Sequence, residues 1–255
     1  MRSRNFKLRL LLGAGIALFF VLKRCSQREE NPYTGRIQTI SMSANEEIAI
    51  GLQSAPQMEK EYGGLHPNNQ YQALVDNVGN KLVNNSIARE TPYQYEFHLL
   101  SDPNTINAFA LPGGQVFITY ALFSKLENED QLAGVLGHEI GHVLGRHSAE
   151  RIAESEYWQG LVTAGSVGAD MGGLISGIGQ NTLLTNGRDD ELESDELGVK
   201  FMIKAGYQPE EMIGVMEILK TAAGPNRVPE FQSTHPDPDN RIEKIREAIE
   251  KYKNQ

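Results

Sequence analysis

His138, Glu139 and His142 stand in the order His-Glu-Ile-Gly-His. On an α-helix, residues four apart lie on one face, one turn above the other. Two imidazoles at that spacing can share one metal ion, and the Glu beside the first reaches a water at that ion. The chemistry this points to is zinc-dependent peptide hydrolysis: the metal lowers the pKa of the water and polarises the scissile carbonyl, while Glu139 takes the proton and returns it to the leaving amine. A buried amphipathic helix with two core histidines is the plainer alternative, and it leaves a second motif unexplained.

That motif, Glu191-Leu192-Glu193-Ser194-Asp195, begins 49 residues after His142. Catalytic zinc usually takes three protein ligands and keeps one position open. Glu191 and Asp195 are again four apart and share a helical face, so one can bind metal while the other orients a ligand His from behind. Glu193 points to another face of such a helix. A solvated acidic helix start is the competing reading, because Asp189, Asp190 and Glu196 crowd the same stretch.

The elements that must position these groups are legible in outline. Asn128 followed by Gln131, with Glu129 and Asp130 between, reads as a helix start. Leu132, Val135, Leu136, Ile140, Val143 and Leu144 then recur at helical spacing, which predicts a helix from about Glu129 to Glu150. Gly134, Gly137, Gly141 and Gly145 weaken that helix unless another element packs closely on it. His147, five residues past His142, is turned away from the metal face by such a helix and reads as structural. His66 and His98 lack a partner motif. Downstream helices are predicted at about Asp189 to Ala205, Pro209 to Thr221 and Pro236 to Tyr252.

Upstream, Ser43-Ala44-Asn45-Glu46 is a capping box that opens a helix toward Tyr62, and Gly63-Gly64 ends it. A second helix starts at Pro67 and runs to about Ala88. Tyr95 to Leu100 alternates and reads as a strand, Val116 to Thr119 is a second, and Ala108 to Leu111 a candidate third. Phe109-Ala110-Leu111 could be an exposed sheet edge to which an extended peptide adds as a strand, or simply part of a core hairpin. Residues 160–179 hold seven glycines among apolar residues, which suits either a mobile flap over the cleft or a closely packed helix pair.

Taken together, His138-Glu139-Ile140-Gly141-His142, Arg188 through Asp195, and Ser233-Thr234-His235-Pro236 with Arg241 resemble the zinc metallopeptidase family that includes HtpX, the CaaX prenyl protease and BepA. Asn107 through Gly114 and Asn31-Pro32-Tyr33-Thr34-Gly35 are similar to segments of its BepA-like envelope proteases, so the likeness runs over about residues 31–250. The resemblance implies His138, His142 and Glu191 as ligands of one zinc ion per chain, Glu139 as general base, and Asp195 as the partner of a ligand His. It places His235 at the cleft, where it would either donate to the oxyanion or occupy the open zinc position and hold the enzyme latent; a plain helix-start residue is the third reading. Ser194 departs from the Ala usual before that Asp. No tetratricopeptide array follows in this sequence, so the partners such arrays serve in BepA-like proteins are not carried over.

The chain has 255 residues and a formal net charge of −9. Residues 1–25 carry six basic side chains and no acid, which leaves 18 basic against 33 acidic residues beyond them. So acidic a domain is a poor nucleic-acid binder. The single Cys25 excludes an internal disulfide. Leu10 to Leu22 forms a short apolar run between basic flanks, which reads as a signal or anchor segment over residues 1–25. Lys23-Arg24 before Cys25 does not suit a cleavage site, so an uncleaved anchor is favoured over a lipid-modified Cys25. Residues 26–42 then form a linker and residues 43–255 the catalytic domain.

The expectation is an α+β, mainly helical, zincin-like domain with a small sheet beside the active-site helix. Its activity would be endoproteolysis of protein or peptide substrates, misfolded or misassembled cell-envelope proteins by likeness. It would sit in a bacterial envelope, tied to the membrane by the N-terminal segment, with the catalytic domain exported to the periplasmic side. The alternative is a non-proteolytic envelope chaperone or adaptor with a zinc site, which needs ligands but not Glu139.

Overall fold

The computed structural model describes residues 2–169, 171–222, 231, 235 and 240–253. In chain order the elements are α1 (Arg2–Ser26), β1 (Arg28–Glu30), β2 (Ile37–Thr39), α2 (Ala44–Glu61), α3 (Asn69–Asn84), a 3-10 turn (Ile87–Glu90), β3 (Glu96–Leu100), β4 (Ala108–Ala110), β5 (Gln115–Thr119), α4 (Tyr120–Phe123), α5 (Glu129–Leu144), α6 (His147–Ala169), α7 (Gly172–Ala205), α8 (Glu211–Ala222) and α9 (Arg241–Lys253). The fold is α+β and mainly helical, as expected. Two compact units divide the chain: Met1–Ser43 with Ser148–Gly187, and Ala44–His147 with Arg188–Gln255.

The larger unit is built around a three-stranded sheet of order β3-β5-β4, with β3 parallel and β4 antiparallel to the central β5. Every residue of β5 is buried, so its continuous run Gln115-Val116-Phe117-Ile118-Thr119 reads as a two-sided core strand. Helix α5 packs on α3 and α8 and lies along β4. Leu99, Phe117, Ile118, Leu136, Ile140, Leu144, Phe201 and Met202 are fully buried around it. The start of α2 directly after Ser43 matches the capping box. In α3 the cap is Asn68, whose side chain accepts from the Gln70 and Tyr71 amides, so the helix opens two residues later than Pro67 suggests and stops at Asn84 rather than Ala88.

One boundary is a correction. The predicted helix to Glu150 breaks after Leu144: Gly145 caps α5, Arg146 takes a left-handed backbone (φ 57), and α6 begins at His147. Arg146 is held there by a buried ion pair with Glu47 of α2, Nη2 to Oε1 at 2.6 Å. The predicted helix start at Pro236 lies outside the described residues.

In the smaller unit, residues 26–42 are not a structureless linker. They form an antiparallel hairpin, Arg28 opposite Thr39 and Glu30 opposite Ile37. Its turn is the Asn31-Pro32-Tyr33-Thr34-Gly35 motif: the Asn31 side chain accepts from the Tyr33 and Thr34 amides, and Gly35 supplies φ 76. Residues 148–187, expected within the catalytic domain, cluster with this segment. Helix α1 lies against α6 closely enough that a Cβ on Gly13 would meet Gly168 Cα at 2.8 Å and one on Gly160 would strike the Phe20 ring. Gly160, Gly165, Gly168 and Gly172 thus serve close packing, while a Cβ on Gly173 would meet open space. Lys23 and Arg24 pair with Glu156 and Glu154 at 2.9 and 3.0 Å, and Arg9 donates to the Val167 carbonyl. The opposite side of α1 exposes Leu8, Leu11, Leu12, Leu18, Phe19 and Leu22. Among the described residues no helix is long and apolar enough to cross a membrane.

Candidate metal centre

Helix α5 begins as its sequence requires. Asn128 accepts from the Gln131 amide at 2.8 Å, and the Gln131 side chain reaches back to the Glu127 amide. One turn from its end it carries His138 and His142 on one face, with Nε2 atoms 3.0 Å apart. Helix α7 crosses so tightly that a Cβ on Gly141 would lie 2.9 Å from the Ser194 carbonyl, and one on Gly198 3.1 Å from the His138 amide. Gly137 and Gly141 are therefore the contact surface for α7, while Gly134 faces Met212 of α8, and the contact with α7 delivers Glu191 and Asp195 to the two imidazoles.

Glu191 spans both histidines: Oε2 is 3.2 Å from His138 Nε2 and Oε1 is 3.3 Å from His142 Nε2. His235 Nδ1 completes the group at 3.3 Å from His138 Nε2 and 3.0 Å from Glu191 Oε1. One donor atom from each of these four residues lies within 4.8 Å of the others. Ligand atoms around a tetrahedral zinc with bonds of about 2.0–2.1 Å stand roughly 3.3 Å apart, so the separations fit such an ion.

The protonation of the cluster makes the same demand. Burial drives the pKa of His142 well below its ordinary value, which keeps it neutral. Its outer Nδ1 lies 2.9 Å from His147 Nδ1. His147 in turn has Nε2 2.9 Å from Glu193 Oε2. A carboxylate only accepts, so His147 donates from Nε2, accepts at Nδ1, and takes the one proton of His142. His142 Nε2 is then a bare lone pair facing Glu191, which itself presents only lone pairs. Burial raises the Glu191 pKa, but the imidazoles of His235, His142 and His138 outweigh it and hold the carboxyl well below its usual range. Such a cluster attracts cations, and the Arg241 guanidinium already stands 3.3 Å from Glu191 Oε2. His138 supplies one as a proton: burial opposes its charge, yet Asp195 and Glu191 overcome burial and push its pKa up to about 10.

Asp195 is the partner of His138, Oδ1 to Nδ1 at 2.8 Å. Burial raises its pKa, but Arg241 and His138 outweigh that, and the carboxyl lies below its usual value. Arg241, 5% exposed, grips it with Nε to Oδ2 at 2.6 Å and Nη2 to Oδ1 at 2.9 Å. Glu139 is fully buried, and among the described residues neither of its carboxylate oxygens has a hydrogen-bond partner. Burial raises its pKa. An orphaned carboxylate beside the cluster is costly unless something arrives to use it. His235 Nε2 lies 3.5 Å from its Oε1.

All six site residues singled out in the sequence are thus brought together: His138, Glu139, His142, Glu191, Asp195 and His235. Three contributors were not assigned there. His147 and Glu193 had been turned away by treating α5 as continuous and by viewing α7 in isolation; Gly145, a helix-stop residue just before Arg146-His147, was the available signal. Arg241 stood in the quoted motif without a role. His66 stacks on Tyr120 and His98 faces Gln115, both away from the cluster.

Residues 69–249 match peptidase family M48. The mitochondrial metalloendopeptidase OMA1 of Schizosaccharomyces pombe is 31% identical over 94% of this chain and 70% of its own length. The beta-barrel assembly-enhancing protease of Yersinia pestis is 31% identical over 87% of this chain, which spans about half (48%) of that relative. Metalloprotease YcaL of Escherichia coli is 27% identical over 79% of each chain. The chain belongs to peptidase family M48, a family of metal-dependent peptidases.

Proposed function

We propose that this M48 chain is a zinc-dependent endopeptidase in which His138, His142 and Glu191 hold the metal and Glu139 is the general base. The observation that carries the reading is the convergence of two imidazole nitrogens and a carboxylate at 3.0–3.3 Å beside the orphaned, buried carboxylate of Glu139. A zinc ion there would supply Lewis-acid polarisation of the scissile carbonyl and a water acidic enough to ionise near neutral pH. Asp195, pinned by Arg241, holds the His138 ring with Nε2 inward. Glu139 takes a proton from the attacking water and hands it to the leaving amine, a role its buried, unpaired oxygens leave open to it.

Substrate would bind by its backbone. Asn107 and Leu111 pair with β5 through the Thr119 and Gln115 main chains, so the antiparallel alternation turns the polar groups of Ala108 and Ala110 toward the open side of β4. An extended peptide pairing there would lie along the metal cluster. His235 occupies both places at once: Nε2 donates to the Ala108 carbonyl at 3.3 Å, while Nδ1 lies on the cluster, 3.3 Å from His138 Nε2. That double engagement favours the latent reading over oxyanion support, and His235→Ala is expected to raise activity rather than lower it.

The substrates proposed are misfolded or misassembled cell-envelope proteins, with the chain in a bacterial envelope and its catalytic domain on the periplasmic side. Helix α1 would attach it: its charged residues Lys23, Arg24 and Arg9 turn inward onto α6, and the side left exposed is apolar. Flotation with anionic vesicles tests that attachment; a lipidated Cys25 would appear as added mass on the same protein. Function is tested with unfolded casein: Glu139→Gln should retain zinc and lose cleavage by about 10²–10⁴-fold. Casein protected from aggregation but not cut by the wild type would favour a chaperone or adaptor instead.

A further inference from the structure

The break between α5 and α6 is built with more care than a chain reversal needs. Gly145 has no alternative there, because a Cβ on it would lie 2.3 Å from His147 Nε2. Arg146 takes the left-handed backbone that non-glycine residues seldom adopt. It does so with its guanidinium buried against Glu47, whose carboxylate also receives the Tyr93 hydroxyl at 3.3 Å. The result is that the first residue of α6, His147, is folded back beneath His142 and is 2% exposed. A continuous helix would have sent it to another face.

We propose that His147 and Glu193 are positioning residues for the metal site: a two-member relay that takes the Nδ1 proton of His142 and so presents His142 Nε2 as the ligand atom. The inference rests on the reading of His142 as a ligand. Its geometry is a chain of three groups, His142 Nδ1 to His147 Nδ1 at 2.9 Å and His147 Nε2 to Glu193 Oε2 at 2.9 Å. Ligand histidines almost always give their other N–H to a carboxylate, carbonyl or water, which fixes both ring and tautomer. Here an imidazole, an acceptor on one side and a donor on the other, stands between His142 and the carboxylate. Ser194 adds its hydroxyl 3.3 Å from His147 Nδ1. Asp190 flanks the far side at 3.8 Å from Nε2. The relay also explains why Glu193, pointing away from the Glu191–Asp195 face, is held inside the unit at all.

The test uses the full chain and zinc alone as probe. Zinc affinity is read by chelator competition in the wild type, His147→Phe, His147→Gln and Glu193→Ala. His147→Phe keeps a flat ring but cannot accept, and should weaken zinc binding about 10–100-fold. Glu193→Ala, at a partly exposed position, should fold normally and weaken it less. In the double variant the two losses should not add. His147→Gln, which can accept from His142 and donate to Glu193 through one amide, should recover most of the affinity; a packing role alone would not be rescued so. Imidazole 15N spectra of the zinc-loaded wild type should show His142 protonated at Nδ1. Wild-type zinc affinity in both His147→Phe and Glu193→Ala, or His142 protonated at Nε2, overturns the relay while leaving the metal site intact. Absence of zinc from the wild type itself would remove the ligand reading and the relay with it.

Discussion

His138 and His142 sit one turn apart on α5 and face the same point, yet their outer nitrogens are answered in opposite ways. His138 meets a buried carboxylate directly, and that carboxylate is locked by a buried guanidinium. His142 meets the imidazole of His147, and the carboxylate lies one group further on, on the partly exposed Glu193. The direct contact makes His138 the proton carrier of the metal-free site, with a pKa pushed up to about 10, while burial keeps His142 neutral. The difference teaches that the two ligand positions are not equivalent: one holds a proton that an incoming ion must displace, and the other holds a lone pair in waiting.

The sharpest way to break this comparison is to remove each ring. His138→Ala and His142→Ala should both abolish stoichiometric zinc binding and casein cleavage, because both rings touch the proposed ion. Zinc retained at full stoichiometry in either variant would mean that ring lies outside the site.

Changing the outer partners should separate them. Asp195→Asn removes the carboxylate that meets Arg241 through two hydrogen bonds and leaves Glu191 Oε2, at 3.3 Å, as its charge partner, so the loss of stability should be about 3 kcal/mol by chemical denaturation, together with a fall in zinc affinity of about 10–100-fold. Replacing the relay to His142 should cost affinity with a much smaller loss of stability, since no buried charge is stranded. Equal destabilisation on the two sides would erase the distinction.

The mildest test is pH. The folded pKa of His138, about 10, lies above its ordinary 6.5. Its contribution to the stability of the metal-free protein is therefore fully present below pH 6.5 and is lost as pH rises through 10. Zinc must remove that proton, so binding at pH 7.5 should release about one proton per ion, and affinity should climb by about tenfold per pH unit up to pH 10. Calorimetry in buffers of different ionisation enthalpy reads the release. No release at pH 7.5 would place the proton elsewhere.

Much of this site was legible because helices impose a period. His138 and His142, then Glu191 and Asp195, are each four apart, and any helix through them must put each pair on one face. The Asn128–Gln131 start, the three strands and the close approach implied by the α5 glycines were readable for the same reason: each depends on neighbours a few residues away. The hairpin of residues 26–42 was missed because three-residue strands carry too little alternation to register, even though its Asn31–Gly35 turn was in plain view. The association of residues 148–187 with the N-terminal segment was out of reach, since nothing local in α6 names its partner.

By itself the sequence determined the chemistry on offer: which nitrogens and oxygens can converge, and that one ion suits them. Tertiary structure decided which of them are supported and how. The end of α5 is set by Arg146 finding Glu47, 99 residues earlier, and that one long-range ion pair turns His147 from a bystander into the partner of His142. The reason is physical: helical spacing is a property of the backbone and repeats wherever a helix runs, whereas a helix stops where a buried charge finds its counter-charge, and that is known only once the chain has folded.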